Sequence, residues 1–470
     1  MSYGSLKTRR STGLKQLDPT DVRNVPVEAH IGSWPDYMLR HQYELEALHQ
    51  EGRLEECVPS LFERIDERAI YFGIDTTRSK NPAPGPDRVK LNRIPETDLW
   101  RWARECHDTI RNGHYQPERP RKVKIPKPNG STRTIHVFNH VDSAVQRGIL
   151  GILNPAVDPT LSEMSHGGRT GRGTWSARKQ LITRHKETNS NFLIVEDLVG
   201  AFDHVPVNRL LKIVEKRIPC KKVISLLATI IHAQPRVRKT RGISQGAVLS
   251  PMLLNIYLDY LVDTRIERNP EVDTAIRYID DIALLCRSDE SARTAYEALD
   301  NLIRNAGFIP KYGPAKAIHD LTRNPARWLG HELRIENGRL QLRITEEAWF
   351  RLEDALSQCA KEGETQQSAE IITRNWLNDA VAMGNDLVRP ICARIQQLMR
   401  THSFSPTPIS WLEEWSEEAI ARWEEYLNSD NAQTGSSYVE NVSYVCERTG
   451  QYTYWNDQGD TDAPYIGCPG

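Results

Sequence analysis

Arg277-Tyr-Ile-Asp-Asp-Ile-Ala-Leu-Leu-Cys-Arg287 is the stretch on which the reading of this chain turns. Begun at Thr274, it reads as two β-favouring runs, 274–278 and 282–286, with Ile279-Asp280-Asp281 at the turn between them. Two carboxylates at a hairpin tip repel, and a folded chain keeps them close only where water screens them or a cation neutralises them. Asp is also an ordinary turn residue, so an isolated Asp-Asp would carry little weight. Here apolar strands on both sides present the pair. A third carboxylate, Asp197, ends another short apolar run, Phe192-Leu-Ile-Val195, that reads as a buried strand and could lie beside the hairpin. Three such groups are what two-metal phosphoryl transfer requires. Mg²⁺ suits them because it takes few carboxylates and fills its octahedron with water and phosphate oxygens.

Working outward, 470 residues suffice for two or three packed domains. Charge is balanced, with 61 Lys+Arg against 62 Asp+Glu, which taken alone argues against a nucleic-acid binder. The distribution is uneven. Between 111 and 133 stand Arg111, Arg119, Arg121, Lys122, Lys124, Lys127 and Arg133, opposed only by Glu118, whereas the last forty residues are acidic and Tyr- and Gly-rich. Local fields steer ligands, so a basic cleft is compatible with zero net charge. The eight cysteines form no CxxC pair, which points to reduced thiols rather than a zinc knuckle or a disulfide framework. With no signal-peptide pattern and no apolar run of membrane-spanning length, the expectation is a soluble protein of the bacterial cytosol, without a membrane partner.

Helical spacing covers 36–76, and Asn81-Pro-Ala-Pro-Gly-Pro86 marks a boundary before the main body. A helix over 96–112 precedes a basic hairpin, with strands 121–125 and 131–136 around Pro126-Lys-Pro-Asn-Gly130. Residues 142–154 read as helical, and Ser250-Pro251 opens a helix to about 268, with Ser as cap and Pro at its first position. Alternating helices and strands to about 335 predict α/β layers around an antiparallel sheet, followed by helices near 345–361, 367–383, 386–401 and 415–427.

The ordered motifs resemble those of group II intron-like reverse transcriptases, over about residues 80–335. Arg277-Tyr-Ile-Asp-Asp281 is similar to that family's catalytic hairpin, and Glu196-Asp-Leu-Val-Gly-Ala-Phe-Asp203 to its first catalytic motif. Ala83-Pro-Gly-Pro-Asp87 resembles its early loop, and Tyr115 through Arg133 its fingers hairpin. Ser165-His-Gly-Gly-Arg169-Thr-Gly-Arg172 resembles its Gly-Phe-Arg-x-Gly-Arg motif. Gly242-Ile-Ser-Gln-Gly-Ala-Val-Leu-Ser-Pro251 is similar to its nucleotide-pocket motif, and Trp328-Leu-Gly-His-Glu332 to its primer-grip turn.

The resemblance implies an α/β right-hand polymerase: a helical N-terminal extension over 1–80, fingers over 81–195, palm over 196–340, helical thumb over 341–430 and an acidic tail over 431–470. It implies that Asp197, Asp280, Asp281 and the Leu198 carbonyl hold two Mg²⁺ or Mn²⁺ ions. Lys127 and Arg133 would hold the triphosphate, a point charge and a fork on one anionic group. Phe202 would lie under the sugar and exclude a 2′ hydroxyl, and Gln245 and Gly246 would pack near the nascent pair. Lys316 is a candidate to protonate pyrophosphate, although its spacing from Gly307 is longer than the family's and a surface lysine is the other reading. Tyr278, Ile279, Trp328, Leu329, Gly330, Arg169 and Arg172 would face primer or template.

Two departures narrow the expectation. Ile279 replaces the family's usual Ala, and its apolar bulk is expected to grip a primer end, as in free-standing relatives tied to microhomology-mediated double-strand-break repair. Gly168 stands where Phe is usual. The expected partners are an RNA or DNA template, a DNA primer and deoxynucleoside triphosphates. The acidic tail leaves two options open, occupation of the basic cleft or self-association as a homodimer. An antiphage reverse transcriptase copying a noncoding RNA, and an idle maturase-derived RNA-binding protein, are the competing readings.

Overall fold

The computed structural model describes residues 34–80, 82–126, 132–233, 239–361, 363–381, 384 and 386–429, together with the paired dipeptides Tyr444–Val445 and Tyr452–Thr453. Helices α1 (Trp34–Gln50), α2 (Glu67–Lys80) and α3 (Glu96–Arg111) precede the antiparallel hairpin β1 (Arg121–Pro126) and β2 (Thr132–Val137). Helix α4 (His140–Val157) follows and is buried along almost its whole length. It meets α2 backbone to backbone. A Cβ on Gly73 would overlap the Ala144 carbonyl, and one on Gly148 would stand 2.5 Å from the Ala69 carbonyl oxygen.

The Pro-rich break at 81–86 therefore separates no independent unit. The imidazole of His140 donates to the Pro82 carbonyl at 2.9 Å. One apolar cluster also runs from Met38 and Leu45 through Ile149 and Leu153 to Leu254 and Leu284.

Helix α5 (Thr174–Thr188) leads into β3 (Phe192–Asp197), and α6 (Val207–Arg217) and α7 (Lys221–His232) follow. Helix α8 (Ser250–Leu258) continues through a π-helical turn, Asp259–Asp263, to Ile266, close to the expected end. Its start differs from expectation in one respect: the Ser250 hydroxyl does not cap the helix but donates back to the Ser244 carbonyl at 2.8 Å.

Strands β4 (Thr274–Tyr278) and β5 (Asp281–Cys286), helix α9 (Asp289–Asn305) and β6 (Ile318–Asp320) complete a four-stranded antiparallel sheet in the order β4-β5-β3-β6. Strand alternation gives it two apolar faces. Ile194, Ile282 and Leu284 join the large core, while Leu193, Val195, Ile276, Ala283 and Leu285 pack under α5.

A second sheet, β7 (Ala326–Trp328), β8 (His331–Glu336) and β9 (Arg339–Ile344), leads to the helices α10 (Glu346–Lys361), α11 (Gln366–Ala380), α12 (Val388–Thr401) and α13 (Ile409–Asn428), which have a core of their own. Helix α13 also reaches back: Ala419 and Trp423 lie in the cluster under the four-stranded sheet. The buried Lys179 ammonium donates to the carbonyls of Tyr426 and Ser429, at 2.6 and 2.8 Å. A cation there satisfies the free carbonyls of a helix C-terminus. The fold class is thus the mixed α/β one that the sequence implies.

Because Gly73 and Gly148 let two backbones touch, Gly73→Ala is expected to destabilise the protein by roughly 1–3 kcal/mol through overpacking. A thermal or urea melt checks this, and an unchanged midpoint would contradict the close crossing.

Candidate active site

The register of the sheet assembles the acidic residues. Asp197, the last residue of β3, pairs with Asp281, the first of β5, and Tyr278 pairs with Asp281 on the other side. Directly opposed residues in an antiparallel pair hold their Cβ atoms about 4.5–5.5 Å apart. Asp197 and Asp281 also share the face of Val195 and Ala283, and Asp280 precedes them in the two-residue turn Ile279–Asp280.

Both turn carboxyls are half-buried and titrate high. Desolvation, then the charge of Asp197, pushes Asp280 up to about 6, while Arg133 and Lys311 pull it down. Desolvation, then Asp280 and Asp197, raises Asp281 well above the usual carboxylate range.

Divalent cations are the natural remedy for such crowding, and the donor set is all oxygen, as hard cations require. Leu198 fits the same purpose. Val199 donates to the Ile309 carbonyl, and Lys311 donates to that of Asp197, both at 2.9 Å, so the 309–311 segment takes one edge of the backbone around Leu198. Backbone groups alternate in direction along a strand, which turns the Leu198 carbonyl toward the β5 edge where the carboxylates stand. As placed, no three His, Cys, Asp or Glu side chains among the described residues form a ready cage for one ion. Mg²⁺ sites of this kind rely on substrate phosphates and water for their remaining ligands.

Lys311, which the sequence did not single out, also stands at this site. Its Nζ lies 2.6 Å from Asp197 Oδ2. Burial lowers this ammonium, but Asp197 and Tyr312 outweigh burial and leave it above the usual lysine range. Glu196, fully buried, fixes the loop: its Oε1 accepts the backbone N–H of Lys311 at 2.9 Å and of Tyr312 at 2.8 Å. Lys316 lies exposed in the short helix Pro314–Ala317, with no contact to the carboxylates among its described interactions.

Arg277 is the second unforeseen residue. Its guanidinium is fully buried, and every donor is used. Nε and Nη2 fork onto Asp263, Nη1 bonds Asn255 Oδ1 at 2.8 Å and the Ile279 carbonyl at 2.7 Å, and Nη2 bonds Ser165 Oγ at 3.0 Å. The π-helical turn delivers Asp263 to this position. Ile279 has φ 60°, which a β-branched residue adopts only at a cost of order 1–2 kcal/mol. The bond from Arg277 to its carbonyl holds the turn there.

The side chain of Ile279 is 2 % exposed. It fills space left by two glycines. A Cβ on Gly167 would come 2.7 Å from Ile279 Cγ1, and one on Gly168 (φ +67°) would come 3.1 Å from its Cδ1. A Phe at 168 would collide with Ile279 and Pro251, so the two departures from the family pattern occupy one space.

Arg169 is 3 % exposed, and its guanidinium bonds the Asp158 carboxylate and the carbonyls of Asp158, Ser162 and Ser165. Arg172 pairs with Glu163.

The basic hairpin is docked beside the carboxylates. The His136 N–H of β2 donates to the Gln245 carbonyl at 2.7 Å, and Gly246 (φ +101°) packs so closely on His136 that a Cβ would stand 2.5 Å from its carbonyl oxygen. Arg133, on the same strand, is near enough to lower both Asp280 and Asp281. Phe202 is half-buried against the large core, and its carbonyl accepts the Ile243 N–H at 2.8 Å. Trp328 is 3 % exposed, and Leu329 and Gly330, both with positive φ, form the β7–β8 turn. Lys127 lies outside the described residues.

If like charge destabilises this site, Asp280→Asn should stabilise the metal-free protein. With a folded pKa of about 6, the stability tied to the protonated Asp280 carboxyl is present below the unfolded value near 4 and lost as pH rises through 6. At pH 7.5 in chelator the variant should gain about 1–3 kcal/mol, and the gain should vanish below pH 4. Equal melting curves at pH 7.5 would contradict the crowding.

The chain is similar to several known proteins. Residues 125–333 match the family described as reverse transcriptase (RNA-dependent DNA polymerase). Over 160 residues the chain is 33 % identical to protein YkfC of Escherichia coli, covering 32 % of this chain and 42 % of that one. It is 27 % identical over 159 residues to the group II intron-encoded protein LtrA of Lactococcus lactis, covering 33 % and 26 %. Each match spans less than half the relative's length. Among solved structures, telomerase from Candida albicans overlays with a TM-score of 0.42 at 12 % identity, over 67 % of this chain and 60 % of that one. Residues 125–333 are thus similar to a reverse transcriptase domain, and the relatives of this stretch include a group II intron-encoded protein.

Proposed function

We propose that this chain is an RNA- and DNA-templated DNA polymerase that extends primers by two-metal nucleotidyl transfer. The observation that carries the reading is the pairing of Asp197 with Asp281 across β3 and β5, with Asp280 at the adjoining turn. Asp197, Asp280, Asp281 and the Leu198 carbonyl would hold Mg²⁺ or Mn²⁺, which when bound activates the primer 3′ hydroxyl and neutralises charge on the triphosphate.

The chain's own residues do the positioning. Arg133 offers a fork to the triphosphate from a strand bonded to the Gln245 backbone, so phosphate and base ends of the nucleotide are located by one rigid unit. Phe202, tied through its carbonyl to Ile243, sets the floor for the sugar. Arg277 keeps Asp280 and Asp281 in register with Asp197. The β7–β8 turn, Trp328 to Gly330, supports the primer strand. In these terms the hairpin belongs to the fingers, the four-stranded sheet to the palm and helices α10 to α13 to the thumb.

The resemblance of Tyr278-Ile-Asp-Asp281 to free-standing repair-linked relatives supports a role in end joining through short microhomologies. Since Ile279 packs on Gly167 and Gly168, its influence on a primer would pass through the stiffness of the turn.

Purified protein given defined RNA and DNA templates, deoxynucleotides and Mg²⁺ or Mn²⁺ should extend primers, and Asp280→Asn with Asp281→Asn should lower incorporation by ~10³-fold or more, about 4 kcal/mol of barrier. Primer–template affinity without metal should stay within a few-fold. Persistent incorporation by the double variant would refute the catalytic assignment. In primers of graded overlap, Ile279→Ala should impair extension from few-base overlaps more than from long duplexes. Equal effects on both would separate Ile279 from microhomology use.

A further inference from the structure

The β7–β8 turn is bound from two sides by elements far apart in sequence. Arg178, on α5 and 1 % exposed, donates through Nη2 to the Leu329 carbonyl and pairs through Nη1 with Asp379 Oδ1 at 3.4 Å. Asp379 is the penultimate residue of α11, in the C-terminal bundle, and Thr174 Oγ1 also donates to its Oδ1 at 3.0 Å. Next to it the Ala380 carbonyl accepts the His331 Nε2–H at 2.9 Å. Both donors meet the end of α11, where unsatisfied carbonyls and the negative pole of the helix favour them. On the far side of the turn, Thr345 Oγ1 donates to the Gly330 carbonyl at 2.9 Å.

Burial opposes ionisation of Asp379, yet Arg178 and Arg351 hold its carboxyl below the usual range, while burial and Arg178 push His331 down to about 4. The pair is thus charged, the imidazole neutral, and the turn hangs between a helix under the palm sheet and the end of a thumb helix.

We propose that Asp379, acting through Arg178, is a positioning residue that sets the Trp328–Gly330 turn for the primer strand, so that the seating of the thumb and the hold on the primer are one adjustment. This rests on the polymerase reading for what the turn holds, but the mechanical link stands on the contacts themselves. Without the Asp379 carboxylate, Arg178 Nη1 loses its ion pair and keeps a 3.5 Å bond to the Asp379 carbonyl, so the guanidinium that holds the Leu329 carbonyl is aimed less firmly.

The test compares Asp379→Ala, Asp379→Asn and Asp379→Glu with the unaltered chain in three measurements. These are primer–template Kd by fluorescence anisotropy, single-turnover incorporation at saturating primer–template, and backbone amide exchange over 326–333. Asp379→Ala should weaken primer–template binding about 5- to 20-fold and speed exchange over 326–333. Its single-turnover rate should stay within about twofold, and Asp379→Glu should restore most of the affinity. Asp379→Asn, nearly the same shape without the charge, carries the comparison if the Ala variant does not fold. Unchanged affinity and exchange, or Asp379→Glu as weak as Asp379→Ala, would overturn the proposal. If the unaltered chain incorporated no nucleotide, the polymerase reading would fail, while exchange over 326–333 would still report whether Asp379 holds the turn.

Discussion

Three carboxylates at the end of one β-sheet repel one another, and the sheet does not let them separate. The β3–β5 register fixes Asp197 opposite Asp281, and the two-residue turn leaves Asp280 no room to withdraw. The cost appears in the raised pKa values of the turn carboxyls and in Lys311, drawn onto Asp197. Such crowding persists only where the surroundings over-determine it. Arg277 supplies that constraint from beneath, with every guanidinium donor committed and one of them on the Ile279 carbonyl.

The same constraint explains the neighbouring loop. A β-branched residue in the left-handed region needs a cavity for its side chain as well as a partner for its carbonyl. Gly167 and Gly168 provide the cavity, and the segment just before them is bonded to β4, with the Arg277 N–H donating to the Met164 carbonyl and the His166 N–H to that of Arg277. Arg169 then closes the loop on itself through Asp158. This segment thereby braces the turn that carries Asp280 and Asp281.

Around that centre the molecule is organised by backbone bonds between distant motifs. The basic hairpin meets the nucleotide-pocket motif through His136 and Gln245, the Glu196 carboxylate gathers the loop carrying Lys311, and Arg178 joins the β7–β8 turn to α11. Each bond is made by a group buried or half-buried in low dielectric, where a hydrogen bond is stronger and an unmade one more costly. The hairpin, the Lys311 loop and the β7–β8 turn are thereby placed relative to the sheet by few, well-satisfied contacts.

The sequence alone determined the local pieces: apolar alternation on both sides of Asp280 and Asp281, the buried run ending at Asp197, the two strands of the basic hairpin and the helical periods after Thr345. Short-range pattern encodes these, because strand and helix periods are written in neighbouring residues. Only the tertiary structure decided which strands pair, and with them that Asp197 faces Asp281. It alone showed that Lys311, four residues after Gly307 and five before Lys316, reaches the carboxylates. It also turned Ile279 inward and spent Arg169 on its own loop. Those outcomes depend on register, on the π-helical turn that brings Asp263 under Arg277, and on cavities shaped by glycines far away in sequence. A long side chain such as Arg or Lys reads the same in sequence whether it is buried on a carboxylate or free in water, and its partner is fixed only when the chain has closed around it.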